Sequence, residues 1–489
     1  MPTSVHVLSP FSPLSCEDLY DIAVRQKSLR LSKKAVLAME RSHNVLGKII
    51  ERGDAVYGLT TGFGPRVRYG GSRTDADGSD LIAHLGAGYG APIEPEVVRG
   101  AMAARLHTLA QGMSGISPET ARFYALVLEK NIIADVPSVG SLGASGDLIP
   151  LAHIARVMAG EGKVLRRQQS IPAIEALREE GLEPCRPSPR DALALVNGTS
   201  FSAAYMALTL VRSGILLARA EELTGWMMRV LGCRRNGLDA RLHAAKRHAG
   251  QQESARNILR DVKLDAGKED ESRPLQEIYS IRCAPQILGA ARDVLRQSKE
   301  TIEEELCGVD DNPLIDVKTL QILHGGNFMT QHIAFAADSM NSALSQVANL
   351  AERQIEALVN PVYNGGASLL LAPETGFTSG MAGVQLTATA IIAEMRSHRQ
   401  HYASSSLPSN AGNQDIVPLG FQAARECYHQ IERLQAVLAC EALCVAQLGA
   451  LRGYSGRKPS WIADFEPLTK DRALRDDIRL VAARMLDNQ

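Results

Sequence analysis

Apolar residues recur every three or four positions over long stretches of this chain, whereas the strict alternation typical of strands is scarce. The clearest stretch is 329–360, where one apolar stripe continues for about eight helical turns. The stripe consists of Ile333, Ala337, Met340, Leu344, Val347, Ala351, Ile355 and Leu358. This spacing predicts a long helix that packs in a bundle.

Similar patterns predict long helices over 201–231 and 420–451, and shorter helices over 97–113, 118–131 and 147–160. The composition agrees, because aromatic residues make up only 4% of the chain and Ala and Leu are plentiful. We therefore expect a mainly α-helical fold. A chain of 489 residues is also long enough for two or three subregions.

Three polar segments interrupt the helical rhythm. Segments 66–80 and 265–273 are rich in small or charged residues and are interpreted as mobile surface loops. Segment 168–190 contains four prolines and is interpreted as the connection between an N-terminal part and a C-terminal helical bundle. These breaks predict an N-terminal domain over 1–195 and a central and C-terminal helical domain over 196–489.

Charge and cysteine usage exclude several classes of protein. The net charge is -1 and no long basic stripe is present, which argues against a nucleic-acid partner. The eight cysteines form no C-x-x-C pair, and Cys440 and Cys444 lie one helical turn apart, as expected of two buried thiols. No signal peptide is recognised, and no uninterrupted apolar run has the length of a membrane span. We expect a cytoplasmic protein with no membrane partner.

Residues 143–150 read Gly-Ala-Ser-Gly-Asp-Leu-Ile-Pro, and the triplet Ala144, Ser145 and Gly146 within them can become an electrophile. In a tight bend, the amide nitrogen of Gly146 can attack the carbonyl carbon of Ala144. Loss of two waters, one carrying the Ser145 hydroxyl, then leaves a five-membered ring with an exposed methylene. Small residues on both sides of the serine permit this closure.

A purely structural interpretation of the triplet is a tight turn into a helix, with Ser145 or Asp147 as the N-cap. The two interpretations are compatible, because a helix N-terminus would withdraw electrons from the ring. A serine-hydrolase elbow, G-x-S-x-G, is excluded because Asp147 occupies the position of its last glycine.

Six further motifs accompany the triplet between about residue 50 and about residue 450. They are Tyr57-Gly-Leu-Thr-Thr-Gly-Phe-Gly64, Leu193-Ala-Leu-Val-Asn-Gly-Thr199, Tyr279-Ser-Ile-Arg-Cys-Ala-Pro-Gln286, Asp311-Asn-Pro313, His324-Gly-Gly-Asn-Phe328 and Asn413-Gln-Asp-Ile-Val417. Together with the triplet, and in the same order along the chain, they resemble the motifs of the aromatic amino acid lyase and aminomutase family. Its members use a methylidene-imidazolone (MIO) prosthetic group made from Ala-Ser-Gly.

The resemblance implies a fold and an assembly. The fold is an N-terminal domain that bears the MIO group, followed by a long central helical bundle of the fumarase/aspartase-like superfamily. The assembly is a homotetramer in which several subunits supply each active site. The resemblance implies no metal and no nucleotide, and the pair His398 and His401 lacks the carboxylate or cysteine partners of a metal site.

The reaction that the resemblance implies is the elimination of ammonia from an aromatic amino acid, through an amine adduct on the MIO group. Catalytic roles fall on Tyr57 as the base, on Tyr279, and on Ala144, Ser145 and Gly146. Substrate-binding roles fall on Gly64, His84, Leu85, Leu148, Asn197, Arg282, Asn312, Phe328, Asn410 and Gln414. Arg282 and Asn312 would hold the substrate carboxylate, and Phe328 would pack beside the ring.

Without the resemblance these residues have ordinary interpretations. Tyr57 would be a packed aromatic, Arg282 an ion-pair residue and Asn312 a turn former. As a base, Tyr57 would need positive charge or helix dipoles nearby, because a phenol with a pKa of about 10 is mostly protonated at neutral pH.

The pair His84-Leu85 resembles tyrosine ammonia-lyases and tyrosine aminomutases, whereas phenylalanine enzymes tend to have Phe-Leu there. Histidine ammonia-lyases tend to have Ser-His at this pair and Glu at the position of Gln414. Asn410 stands where phenylalanine enzymes often have Glu. These comparisons favour L-tyrosine as the substrate and trans-p-coumarate as the product.

Several alternatives stay open. Thr378, Ala382 and Pro418 depart from the family pattern and put the substrate in doubt, so phenylalanine or histidine could replace tyrosine. A tyrosine 2,3-aminomutase would use the same residues and differ in how long the closed loop retains the unsaturated acid. A non-catalytic helical scaffold is the alternative from another class, and it would contain an unmodified Ser145.

Overall fold

The computed structural model describes residues 5–69, 78–166, 169–264 and 269–487, which are mainly helical. The helices are α1 (Cys16–Ala23), α2 (Lys33–Glu51), α3 (Ser79–His84), α4 (Pro95–Ala110), α5 (Pro118–Glu129), α6 (Leu148–Met158), α7 (Ala173–Glu179), α8 (Pro189–Val196), α9 (Ser200–Leu231), α10 (Ala240–Lys246), α11 (Ala249–Val262), α12 (Tyr279–Arg282), α13 (Ala284–Cys307), α14 (Gln331–Val359), α15 (Ala382–Ser397), α16 (Gly420–Leu451) and α17 (Arg475–Leu486). The predicted mainly α-helical fold is confirmed.

The predicted helices are observed close to their expected bounds. The three long ones are α9, α14 and α16, which begin and end within two residues of the prediction. The three shorter ones are α4, α5 and α6. Local chemistry explains the starts: Pro118 occupies the first turn of α5, and the Ser117 hydroxyl accepts a hydrogen bond from the Thr120 amide.

Strands are short and occur as four two-stranded sheets among the described residues. The strands are β1 (His6–Leu8), β2 (Leu29–Leu31), β3 (Tyr89–Pro92), β4 (Pro137–Val139), β5 (Lys163–Arg166), β6 (Gln169–Pro172), β7 (Leu314–Asp316) and β8 (Gln321–Leu323). β1 and β2 pair in parallel, with His6 opposite Leu29, and the other three pairs are antiparallel.

The chain divides into two compact units, and neither is one continuous segment. Unit 1 consists of Met1–Leu208, Lys299–Asp338 and His401–Arg425, and unit 2 consists of Thr209–Ser298, Ser339–Gln400 and Glu426–Gln489. The predicted domains over 1–195 and 196–489 are continuous segments and describe a different division, which stays a prediction.

The apolar stripe of α14 is buried within the single chain, with every member at most 2% exposed, from Ile333 to Leu358. From the sequence alone, a stripe of this length has to be buried somewhere, which supports an oligomer without fixing its number. The stripe is covered without one, because other parts of the same chain pack on it. It therefore gives no argument for an oligomer.

The polar segments are only partly described. Residues 70–77, 167–168 and 265–268 lie outside the described residues, so the loop interpretation of 66–80 and 265–273 is not tested there. At its described end, 265–273 is not a surface loop throughout, because Arg273 is buried and pairs with Glu277. Segment 168–190 contains β6, α7 and the start of α8 rather than a simple connection.

Two helical stretches have the length and hydropathy of a membrane span, Pro189–Leu231 and Gly420–Leu451, which corrects the expectation that no run is long enough. Within the chain, 72% and 78% of their most apolar windows are buried. Burial on most sides is typical of core helices. All eight cysteines are free, and Cys440 and Cys444 are buried as predicted.

Candidate active site

The triplet lies in a bend over residues 143–147, immediately before α6. Gly146 has a φ of +69°, a conformation that side chains rarely adopt. A Cβ at this position would lie 2.3 Å from the carbonyl oxygen of Gly198, to which the Asp147 amide donates a hydrogen bond of 2.7 Å. Only glycine therefore fits at position 146, for reasons of both backbone conformation and space.

Two side-chain amides hold Ser145. Gln414 Nε2 donates to Ser145 Oγ across 2.8 Å, and Asn197 Nδ2 donates to the Ser145 carbonyl oxygen across 3.3 Å. The other amide atom, Asn197 Oδ1, is buried and has no hydrogen-bond partner among the described residues. A buried polar atom without a partner is costly in a finished site, so Asn197 is suited to receive a further group here.

Asp147 stabilises the bend through three hydrogen bonds to its carboxylate. Ser202 donates to its carboxylate through both its amide and its hydroxyl, at 2.8 and 2.9 Å, and the Ser141 hydroxyl donates across 2.9 Å. Burial and, to a smaller extent, Asp310 raise the pKa of Asp147 while these hydrogen bonds lower it, with a net value of about 6. Asp147 is the last residue before α6, but its side chain does not cap the helix.

A cavity of about 630 Å³ opens over the triplet, within unit 1. All but three of the predicted site residues line it: Tyr57, Gly64, His84, Leu85, Ala144, Ser145, Gly146, Leu148, Asn197, Phe328, Asn410 and Gln414. The size suits a small ligand. The structure therefore brings together residues that are up to 357 positions apart in the chain.

Tyr57 and the glycine-rich segment after it form one wall. The Tyr57 hydroxyl accepts a hydrogen bond from the Gly64 amide at 2.7 Å, and the Tyr57 amide donates to His324 Nε2 at 3.3 Å. Arg66 also lines the cavity, with its guanidinium 4.3 Å from the centroid of the Phe63 ring. A cation therefore lies on the same wall as the tyrosine that we predict to be the base.

His84 lies at the C-terminal end of α3, where it stacks on Phe63 with ring centroids 5.4 Å apart. Its Nδ1 lies 3.2 Å from the carbonyl oxygen of Asp80, one turn earlier. A carbonyl oxygen can only accept, so Nδ1 carries the proton. In the neutral imidazole, Nε2 is then a hydrogen-bond acceptor.

Three predicted residues do not line the cavity. Tyr279 and Arg282 lie on α12 in unit 2, where the Arg282 guanidinium lies 4.7 Å from the Tyr279 ring centroid and Tyr279 is 70% exposed. Asn312 belongs to unit 1 but is buried, and its Oδ1 accepts from the Gly325 amide at 2.9 Å. Their roles in the reaction stay predictions.

Some lining residues were not predicted from the sequence. They are Phe63, Pro65, Arg66, Leu81, Gly140, Ser141, Leu142, Ile149, Leu193 and Ser409. Helical spacing could have identified Leu81, which is three residues before His84, and Phe63 and Leu193 lie inside two of the family motifs. Ile149 lies in the quoted stretch 143–150. The others have no sequence signal of their own, because only the folded chain brings them to the cavity.

The residues present fit an MIO group. The bend, the positive φ of Gly146 and the small side chain of Ala144 permit the backbone of the triplet to close on itself. Gln414 donates a hydrogen bond to the hydroxyl that the closure would expel. The N-terminus of α6 follows at once and adds positive potential where an electrophile needs it.

A family model described as aromatic amino acid lyase matches residues 14–466. The chain is 36% identical to a histidine ammonia-lyase of Gloeobacter violaceus, over 90% of this chain and 86% of that protein. It is 34% identical to a histidine ammonia-lyase of Treponema denticola, over 96% and 94%. It also superposes on the tyrosine aminomutase structure from Streptomyces globisporus with a TM-score of 0.92 and 31% identity, covering 98% of this chain and 96% of that one. The chain therefore belongs to the aromatic amino acid lyase family.

Proposed function

We propose that this protein eliminates ammonia from L-tyrosine and releases trans-p-coumarate. The histidine ammonia-lyase relatives support the coarser assignment, a carbon–nitrogen lyase that acts on aromatic or heteroaromatic amino acids. The observation that carries the choice of tyrosine is the hydrogen bond of His84 to Asp80, in a cavity shared with Ser145.

That hydrogen bond decides what His84 can offer a substrate. With its proton on Nδ1, the neutral imidazole presents a lone pair at Nε2, which suits the hydroxyl proton of a phenol. A phenyl ring would leave this acceptor without a partner, which disfavours phenylalanine. Phe63 stacks on the imidazole and restricts its plane, so the acceptor has a defined direction.

The remaining roles follow from the family chemistry and the positions of the side chains. An MIO group formed from the triplet would supply an electrophile that makes the substrate amine a better leaving group. Tyr57 would remove the β-proton from its position on the cavity wall. Asn197 and Gln414, which contact Ser145, would orient the substrate amine. Arg282 and Asn312 would bind the carboxylate.

Histidine is the competing substrate, because the curated relatives are named histidine ammonia-lyases. Two residues in the cavity argue against it. Leu85 stands where those enzymes tend to have the histidine of their Ser-His pair, and Gln414 stands where they tend to have Glu. An apolar side chain and a neutral amide offer less to an imidazole substrate than His and Glu do.

A tyrosine 2,3-aminomutase is the second candidate, favoured by the similarity to a tyrosine aminomutase structure. Both reactions begin with the same elimination. A mutase would retain the unsaturated acid until ammonia adds back at the β-carbon, which depends on how long the segment that bears Tyr57 stays closed.

One incubation distinguishes these functions. Purified protein is mixed in separate reactions with L-tyrosine, L-phenylalanine and L-histidine, and coumarate, β-tyrosine, cinnamate and urocanate are separated by chromatography. We expect coumarate to accumulate fastest. A predominance of β-tyrosine would make the protein a mutase, and a predominance of urocanate would make it a histidine ammonia-lyase. A Ser145 peptide of unchanged mass, with no product, would indicate a scaffold.

We further propose a homotetramer located in the cytoplasm. The family resemblance supports the assembly, and so does the exposure of large apolar side chains that a monomer would leave in water. The most exposed include Phe377, Val362, Leu275 and Leu386. Light scattering of the purified protein would test the tetramer.

A further inference from the structure

The hydroxyl of Thr199 lies between two acidic side chains behind the active site. Thr199 Oγ1 is 2.6 Å from Glu305 Oε1 and 2.9 Å from Asp310 Oδ2. Thr199 and Asp310 are buried, and Glu305 is partly buried. A hydroxyl has one proton to donate and cannot donate to both acids. In one of the two contacts, a protonated acid must therefore donate its proton to the Thr199 oxygen.

The surroundings identify which acid carries it. Asp310 Oδ1 forms an ion pair with Arg105 at 2.7 Å, and Asp310 Oδ2 also accepts from the Thr199 amide at 2.6 Å. These partners stabilise a charged carboxylate. Thr199 accordingly donates to Asp310, and Glu305 donates its own proton to Thr199 Oγ1.

We propose that Glu305 is a positioning residue which, as a neutral carboxylic acid, donates to Thr199 and so holds Asn197 and Gly198 against the triplet. Its action on catalysis rests on the proposed function, because it acts through residues that contact Ser145. Glu305 does not line the cavity and is not expected to touch substrate.

The segment that Glu305 would hold is tightly enclosed. The Gly198 carbonyl accepts from the Asp147 amide on one side. On the other side, a Cβ on Gly198 would lie 2.1 Å from Arg105 Nη1 and 2.8 Å from Asp310 Oδ2. A shift at Thr199 would therefore move Gly198, and with it the bend at Asp147.

Asn197 transmits the same shift to the reacting residue. It precedes Gly198 directly, and its Nδ2 donates to the Ser145 carbonyl oxygen. This contact is 3.3 Å long, so a small displacement would break it. Loss of this hydrogen bond would misplace Ser145, while the other side chains that line the cavity would stay the same.

The charges that face Glu305 are Asp310, Asp147 and, through Asp310, Arg105. Burial, Asp310 and Asp147 raise the pKa of Glu305 and the Thr199 hydrogen bond lowers it, with a net value of about 7. An acid whose pKa is raised on folding holds its proton better in the native state. Its contribution to stability therefore falls as pH rises from the unfolded value, 4.5, to about 7.

The first test asks whether Glu305 carries a proton in the native protein, independently of catalysis. Glu305→Gln places an amide N–H where the acid O–H stood and does not titrate. We expect the melting temperature of the variant minus that of the wild type to increase by about 2 °C or more between pH 5 and pH 7. It should then level off. All other titratable groups are the same in both proteins, so the difference reports the group at position 305.

The second test measures positioning. Glu305→Ala and Thr199→Val break the hydrogen-bond chain, whereas Glu305→Gln and Thr199→Ser preserve a donor or a hydroxyl. We expect the two disruptive variants to lower kcat by about tenfold or more with little change in KM, because reacting groups are misplaced. The two conservative variants should stay within about threefold of wild type. The fraction of Ser145 peptide that is two waters lighter is recorded for all four.

A temperature difference that does not vary with pH would show that Glu305 is ionised in the native protein and would overturn the proposal. Wild-type kcat in Glu305→Ala would show that the segment needs no such support and would overturn the positioning role. If the wild type converts no aromatic amino acid, the proposed function fails, and the melting experiment still decides whether Glu305 holds the proton.

Discussion

The side-chain amide of Gln414 donates a hydrogen bond to the Ser145 hydroxyl across 2.8 Å. The two residues are 269 positions apart in the chain, and Gln414 is held in place by a backbone bridge to Ser409. In the proposed ring closure this hydroxyl leaves as water. A donor at the leaving oxygen would assist its departure, and Gln414 would then be available to the substrate amine.

Replacing Ser145 with alanine should abolish turnover and leave the fold intact, because alanine has no hydroxyl to lose. The Ser145 peptide of the wild type should be two waters lighter than its sequence mass, and the variant peptide should have full mass. Ser141→Ala is the matched control, since it loses the hydrogen bond that its hydroxyl donates to Asp147 and the one that it accepts from the Gly143 amide, and it should still form the ring. Activity of Ser145→Ala within about tenfold of wild type would contradict an MIO group.

Gly146→Ala should prevent ring formation and destabilise the protein. The φ of +69° alone costs about 1–2 kcal/mol for a residue with a Cβ, and the contact with Gly198 at 2.3 Å adds to it. Gly181→Ala separates the two effects, because Gly181 has the same φ and nothing within 4 Å. Chemical denaturation should show a larger loss for Gly146→Ala. An equal loss of unfolding free energy in the two variants would mean that the close approach to Gly198 does not contribute to the destabilisation.

Tyr57→Phe should lower kcat by at least about 10²-fold, as expected for loss of a general base. The near-UV absorbance of the MIO group should remain, because the triplet is untouched. Tyr69→Phe serves as the control, since Tyr69 is exposed and does not line the cavity. Unchanged turnover in Tyr57→Phe would assign the proton transfer to another residue.

His84→Phe should move the preference from L-tyrosine toward L-phenylalanine by about 1–3 kcal/mol in kcat/KM, the cost of an acceptor that a bound phenyl ring would cover and leave without a partner. His84→Gln retains a hydrogen-bonding side chain and should keep more of the tyrosine preference. The measurement is kcat/KM for both amino acids in the three proteins. If the ratio stays within about a factor of two, His84 does not select the substrate ring.

The sequence by itself determined the helical architecture and the chemistry of the triplet. The stripe from Ile333 to Leu358 predicted α14 within two residues, because helical periodicity is a local property of the chain. The order of the motifs indicated the family, and all but three of the predicted site residues line one cavity. Burial of the stripe within the chain was not predictable, since periodicity shows that a face is apolar and not what covers it.

Only the tertiary structure decided how distant groups share protons and space. Nothing local marks Glu305 or Thr199 as partners, because their interaction depends on a hydroxyl that packing places between two carboxylates. The proton on His84 Nδ1 depends likewise on the carbonyl one turn earlier on α3. Hydrogen bonds act over about 3 Å, so a sequence can name the donors and acceptors, while the folded chain determines which of them meet.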